Sequence, residues 1–322
     1  MNTNRKNTVG QYVAKELAII IPTKDRPEKL RALLESIARQ SSKCGRVIIV
    51  DSGKSVANIV SGFKDLIPVE YYQSDVPGQI RQRNIGISQL TDNDRLVASL
   101  DDDLVLEQGA LEAMIAGWNR VAGETAGIGF NIVNAGVHTY SPLLGLMLVD
   151  SRNPGDVLIS GSNIGIHGLE HDIRSRWLGG GYTVWRREIL DEYKQTELAT
   201  RWAHGEDLRF SYPIGKRYPL WVCAGARVRH EHVYDQAPPA HVHRYRGRIL
   251  SLACFQFVEE NREFSRLACC WMILSSAAGR LISGLLKGNG KQLQTAVGQF
   301  GAVYTYGKSL IRGQDLHEAL AD

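Results

Sequence analysis

Residues 95–116 read RLVASLDDDLVLEQGALEAMIA. Residues 96–100 are a short apolar run with β-formers and no helical period, followed at once by three carboxylates and then by a segment that reads as a helix. The expectation is a buried strand delivering Asp101, Asp102 and Asp103 to its C-terminal end. Side chains alternate along an extended backbone, so Asp101 and Asp103 point one way and Asp102 the other. Two carboxylates on one face need a cation. Oxygen ligands on one side of a loop suit Mg2+ or Mn2+, which complete their shells with water and a substrate's phosphates. The competing reading is a helix cap, because acidic residues favour the positive end of a helix. A cap accounts for one carboxylate, not three in a row behind an apolar strand.

Upstream, residues 17–21 form a continuous apolar run rich in β-branched side chains, closed by Pro22 and Thr23, as expected of a central parallel strand. Leu30, Leu33, Leu34, Ile37 and Ala38 then make one stripe of an amphipathic helix, with Pro27 in its first turn. Residues 47–50 give the next strand, ending in Asp51, Ser52 and Gly53. The order β, α, β implies a right-handed crossover and a parallel sheet. In such sheets ligands bind beyond the carboxyl ends of the strands, where Thr23, Asp51 and Asp101 all fall. Asp51 there either accepts hydrogen bonds from a ribose or base, or simply begins the following helix. Residues 69–75 read as a third strand, after which Gly78 opens a helix carrying Arg81, Gln82 and Arg83 near its start. Helix dipole and guanidinium groups both attract anions there, the alternative being solvated surface charge.

Downstream, residues 128–133 read as a strand, and residues 136–175, rich in glycine and without a sustained period, as a long loop or small insertion. Gly179, Gly180 and Gly181 precede a strand at 182–185 and the helix start RREILDEY; they allow a close backbone approach to a ligand, or only a turn. The segment HGED places Glu206 and Asp207 at a helix start, where acids are favourable in any case. The strand WVCAGARVRH ends in His230, and His232, His241 and His243 follow. An HxH pair on an extended chain puts both imidazoles on one face, as a Zn2+ site requires. No cysteine accompanies them and PPA between the pairs marks a loop, so by themselves they read as loop histidines.

With 322 residues, 43% of them apolar, the chain is long enough for one large α/β domain with an appended segment. A net charge of +4 is too small for a nucleic-acid binder, but ten Lys or Arg against six Asp or Glu place the whole excess after residue 240. Cys44, Cys223, Cys254, Cys269 and Cys270 are odd in number, scattered and without CxxC spacing, which reads as reduced cytosolic thiols. The opening MNTNRKNTVGQYVAKE is polar and lacks the apolar core of a signal peptide. No run reaches the roughly eighteen apolar residues of a transmembrane helix.

The succession IIIPTKDRPEKLRALLESI, VIIVDSGK, PGQIRQRNIGI and SLDDDLVLEQGALEAM resembles the nucleotide-binding half of the family 2 glycosyltransferases, in the family's order over about the first 120 residues. The resemblance implies a GT-A-like α/β fold with a mostly parallel, Rossmann-like sheet, helices on both faces, and a helical C-terminal extension. The expected layout is a polar tail at 1–16, a catalytic domain at 17–240 divided near residue 120 into nucleotide-binding and acceptor halves, and a basic extension at 241–322. It further implies a nucleotide-sugar donor, a glycan or lipid-linked acceptor, a divalent metal (Mn2+ or Mg2+) and inversion, in surface polysaccharide or glycoconjugate synthesis. Pro22, Thr23 and Asp51 match positions that hold base and ribose, and Arg83 with Asn84 the family's Arg-Asn pair. Asp101 lies on the ribose side of the DxD motif with Asp102, and Asp103 matches its metal ligand. Gly180 and Gly181 would lie under donor sugar and acceptor. Asp207 would be the general base, Glu206 its orienting or acceptor-binding neighbour, and His230 a further metal ligand. A nucleotidyltransferase would usually carry a glycine-rich loop after the first strand, and PTKDRPEKL has none; intact DDD and HGED argue against a catalytically silent nucleotide-binding partner.

In the extension, Leu267, Trp271, Leu274, Ala278, Leu281 and Leu285 recur at helical spacing, with Arg266, Arg280 and Lys287 on other faces. Such a helix can lie among anionic headgroups. Met272 and Ile273 make its middle apolar nearly all round, which equally fits burial against the catalytic domain or a homodimer interface. The expected location is cytoplasmic, peripheral on the inner face of the membrane.

Overall fold

The computed structural model describes residues 11–121, 123–197, 205–231, 239–313 and 316. His204, the first residue of the HGED segment, and His232 lie outside the described residues, as do residues 1–10. The chain forms two compact units.

The first unit comprises Met1–Gly136, His167–Thr196 and Pro213–Glu231. Its elements are β1 (Leu17–Thr23), α1 (Pro27–Ala38), β2 (Arg46–Asp51), α2 (Ala57–Ser61), β3 (Val69–Gln73), α3 (Gln79–Ser88), β4 (Leu96–Leu100), β5 (Leu104–Leu106), α4 (Ala110–Arg120) and β6 (Gly127–Ile132). After the segment belonging to the second unit follow β7 (Ile173–Ser175), β8 (Tyr182–Arg186), α6 (Arg187–Glu192) and β9 (Leu220–His230). All nine strands join one sheet in the order β3-β2-β1-β4-β8-β6-β9-β5, with β7 also on β9. The pairings of β1, β2, β3 and β4 are parallel, and β8 reverses direction between β4 and β6, which is again parallel to β9. Six strands therefore share one direction and β5, β7 and β8 oppose it, the mostly parallel sheet that the β, α, β order implied.

Every residue of β1 is buried, as its unbroken apolar run demands of a strand covered on both faces. The stripe Leu30, Leu33, Leu34 and Ile37 of α1 and Leu111, Met114 and Trp118 of α4 pack into the same core as β1 and β2. Tyr12, in the stretch read as a polar tail, is buried edge-on against Trp118, and its N–H and carbonyl are held by the Asn119 amide.

The second unit comprises Val137–Ile166, Glu197–Tyr212 and His232–Asp322. It contains α5 (Pro142–Leu146), α8 (Ala240–Glu260), α9 (Arg266–Leu286), α10 (Gly290–Arg312) and the start of α7 (Glu206–Arg217). The glycine-rich segment, read as loop, is mostly turns around α5, and it is tied in where the Ser265 N–H donates to the Ile159 carbonyl at 2.9 Å. Tyr212, Phe257 and Phe264 pack ring on ring, and Phe255 stacks on Tyr306 at 3.9 Å. A Cβ at Gly298 would fall 2.0 Å from the Arg244 carbonyl oxygen, so the glycine lets α10 approach the α8 backbone. One sequence expectation is corrected here. Although no uninterrupted apolar run exists, α9 is by length and composition apolar enough to cross a membrane, because Ser275, Ser276, Gly279 and Arg280 interrupt the run but leave its mean hydropathy high.

Arg46, at the start of β2, gathers the N-terminal edge of the sheet. Its guanidinium donates to both oxygens of Glu70 (2.7 and 2.8 Å), to the Gln89 carbonyl (2.9 Å) and to Asp94 (2.7 Å), which is buried. The Arg46 hydrogen bonds, outweighing burial, hold the Glu70 carboxyl below its ordinary value. Glu70 therefore adds stability that is full above its unfolded pKa, about 4.3, and is lost as pH falls through the lower folded value. Arg46→Met should cost about 2 kcal/mol in denaturant unfolding at neutral pH, less than a fully buried pair because Glu70 is partly exposed. The difference from wild type should shrink in acid.

Candidate active site

The Asp101 N–H donates to the Gly181 carbonyl (2.8 Å), carrying the β4–β8 pairing one residue past the strand, and the Leu104 N–H returns to the Asp101 carbonyl (3.3 Å). The three aspartates thus occupy a turn rather than an extended strand, and β5 intervenes before the helix α4. Asp101 and Asp103 still share a side, but the turn and not strand alternation puts them there. Asp102 goes elsewhere: Oδ2 accepts from the Thr23 hydroxyl at 2.7 Å and Oδ1 from Arg26 at 3.0 Å, leaving the residue 4% exposed.

β5 pairs antiparallel with β9, setting Leu104 opposite His230, and the Glu231 N–H donates to the Asp103 carbonyl (2.8 Å). That register brings His230 Nε2 to 3.0 Å from Asp103 Oδ1. Asn134 fixes the His230 backbone from both sides, accepting from its N–H (2.9 Å) and donating to its carbonyl (3.0 Å). One ligand atom each of Asp101, Asp103 and His230 lies within 4.8 Å of the others. Two carboxylates with one imidazole suit Mn2+ better than Mg2+, which prefers an all-oxygen shell.

Asp101 is held from the α3 side. Its Oδ1 accepts from Gln79 (2.6 Å) and from Arg83 (2.9 Å), whose side chain is 3% exposed. A Cβ at Gly181 would sit 2.0 Å from Asp101 Oδ2, so only glycine leaves room for this carboxylate; Gly180 lies half-buried in the same turn. Burial raises the Asp102 carboxyl above the usual carboxylate range against the pull of Thr23 and Arg26. Burial lowers His230, but its hydrogen bond to Asp103 and the charges of Asp103 and Asp101 outweigh this and leave the imidazole above its ordinary value.

The ends of β1 and β2 are stitched together. Pro22 lies opposite Val50 and Thr23 opposite Asp51, both buried at the carboxyl end of the sheet. Gln82 of α3 donates to the Thr23 (2.7 Å) and Val50 (2.6 Å) carbonyls. Asp51 is fully buried and accepts from the Gly53 and Val56 N–H groups and the Tyr71 hydroxyl, so its carboxylate organises the loop after β2. Arg83 and Asn84 part company: Asn84 donates to the Gln195 carbonyl at 3.1 Å. Glu206 and Asp207 stand in the first turn of α7, where the Ser211 hydroxyl donates to the Asp207 carbonyl (2.6 Å); they and the α8 residues His241 and His243 belong to the second unit.

Sequence reading missed Arg26, Gln79 and Asn134. Arg26 carried a signal, a cation directly ahead of the helix-opening Pro27 at the end of the first strand. Asn134 carried none, since its partner lies 96 residues away.

The description of glycosyl transferase family 2 fits residues 18–166. The fold is similar to that of the mannosyltransferase PcManGT of Pyrobaculum calidifontis, solved with GDP-Man and Mn2+, at TM-score 0.54 and 13% identity over 96% of this chain and 84% of that one. TarS 1-349 of S. aureus aligns over 92% of both chains at TM-score 0.46 and 15% identity; the same protein in complex with UDP-GlcNAc gives TM-score 0.44, 15% identity and 92% of both chains. A search of curated protein sequences finds no match. Residues 18–166 thus match glycosyl transferase family 2 in sequence, and the chain as a whole has a GT-A-like fold.

Proposed function

We propose that the chain transfers a sugar, with inversion, from a nucleotide-sugar donor to a glycan or lipid-linked acceptor, in cytoplasmic assembly of a surface polysaccharide or other glycoconjugate. The observation that carries this reading is the meeting of Asp101, Asp103 and His230 beyond the carboxyl end of β4. Asp103 and His230, with Asp101 beside them, would hold Mn2+ or Mg2+, which when bound supplies positive charge against the donor's diphosphate. The similar mannosyltransferase carries GDP-Man and Mn2+.

The chain's own residues do the rest. Gln79 and Arg83 fix Asp101, and Gly181 leaves it room at the rim where a ribose would lie. Thr23 and Arg26 draw Asp102 away from the ligand side. Asp207 takes the proton of the acceptor hydroxyl as its oxygen bonds to the anomeric carbon from the face opposite the leaving phosphate. The carbon–oxygen bond to the diphosphate breaks and the electron pair leaves with the nucleotide. Glu206 binds the acceptor or orients Asp207. The proposal is tested by incubating the protein with Mn2+ and each common nucleotide sugar and following slow donor hydrolysis. Hydrolysis of one donor supports it, and nucleotide binding without hydrolysis of any points to a silent partner instead.

Asp103→Ala should abolish Mn2+-dependent binding of a nucleoside diphosphate in calorimetry. Asp102→Ala should weaken it far less and instead lower unfolding stability by about 1–3 kcal/mol, since Thr23 and Arg26 lose their acceptor. Equal losses of binding would contradict the separation of the two carboxylates. Asp207→Asn keeps size and hydrogen bonding but removes the basic site, so donor affinity should stay normal while transfer falls by roughly two to four orders of magnitude. If transfer survives and donor affinity falls, Asp207 is a binding residue and not the base.

A further inference from the structure

Within the second unit, α9 presents one face that nothing in the unit covers. Leu267, Trp271, Leu274, Ala278, Leu281, Ile282 and Leu285 lie along it, all exposed, and Leu267 is 82% exposed. The opposite face, with Cys269, Met272, Ile273, Ala277 and Gly284, is buried. The patch does not end with α9. The Trp271 indole N–H donates to the Leu146 carbonyl at 2.9 Å, which joins to it the exposed Leu143 and Leu146 of α5. A contiguous apolar surface built from two elements marks an interaction site, unlike single exposed leucines.

Its charge identifies the occupant. Residues 264–313 contain six Lys or Arg and no Asp or Glu. Arg266 pairs with Glu259, which precedes this stretch. Among the described residues, no carboxylate lies within ion-pair distance of Arg280, Lys287, Lys291, Lys308 or Arg312. An apolar face set in an acid-free cationic stretch matches the headgroup boundary of an anionic bilayer. Two copies of this chain meeting face to face would bring like charge against like.

We propose that α9 and α5 together dock the protein on an anionic membrane surface, α9 lying in the interface rather than crossing it. A crossing helix would have to give up the packing of its buried face, where a Cβ on Gly284 would meet Leu293 of α10 at 2.7 Å and where Gln299 of α10 donates to Ser276. The inference rests on this surface and not on the transfer chemistry.

The test is co-sedimentation of the full chain with phosphatidylcholine vesicles, with and without phosphatidylglycerol, at low and high salt. The variants are Leu267→Glu/Trp271→Glu/Leu285→Glu and Arg280→Gln/Lys287→Gln, all at exposed positions, with circular dichroism melting as the check on folding. Wild type should pellet with the anionic vesicles and less at high salt. The charge variant should partition at least several-fold less, and the apolar variant should stay in the supernatant while keeping donor hydrolysis. The proposal fails if wild type does not pellet or if the folded apolar variant pellets equally. It also fails if wild type sediments as a dimer that this variant splits, without vesicle binding, in which case the face joins two copies.

Discussion

Three carboxylates in succession at the end of a buried strand repel one another, and the rest of the first unit is arranged to answer that repulsion. Two unit charges about 5 Å apart cost about 3 kcal/mol at an effective dielectric of about 20. One ligand atom each of Asp101, Asp103 and His230 lies within 4.8 Å of the others. Each aspartate has its own compensation: Asp101 takes Arg83 and Gln79, Asp102 takes Thr23 and Arg26, and Asp103 takes His230. These partners come from β1, the loop after it, α3 and β9, so the cluster forms only when the parallel half of the sheet and its returning strand are both in place.

The return is the expensive part. β5 is three residues long and pairs with β9 across more than a hundred residues of chain, so nothing local sets its register. The Glu231 to Asp103 hydrogen bond and the paired hydrogen bonds between Asn134 and His230 fix it instead. On the other flank, the glycine at 181 allows β8 to close onto Asp101, so the turn after β4 is clamped by two later strands, β8 and β9, that run in opposite directions in the sheet.

What the sequence made legible follows the range of the interactions. The strands β1, β2 and β4 and the helix α1 are written in apolar periodicity, a local property, and appear where the pattern put them. The carboxylate triplet stood out in the sequence because no cap needs three acids, and the structure brings two of its members together with His230. Its geometry was not, since a turn and a strand place Asp101 and Asp103 on one side for different reasons. Asp51 shows the limit from the other direction: the strand end was right, but only the structure shows the carboxylate satisfied by two loop N–H groups and Tyr71. His230 was separable from the neighbouring histidines only through the family resemblance, because its meeting with Asp103 spans 127 positions. The α5 contribution to the apolar patch was illegible, lying in a segment with no periodicity at all.

The two arginines that balance the cluster differ in burial, and this difference orders the site. Arg83 is 3% exposed and its pairing with Asp101 is part of the packed core, where removing one partner leaves a buried charge without its mate. Arg26 is 56% exposed, 3.0 Å from Asp102 and 3.5 Å from Asp103, so water screens it and its hold on Asp103 is weak. Asp101 is therefore fixed whether or not a ligand is present. Asp103 stands 3.0 Å from His230 and 3.5 Å from that exposed arginine, so under the proposed function a metal ion there would meet charges that are less deeply buried than the Arg83 pairing of Asp101.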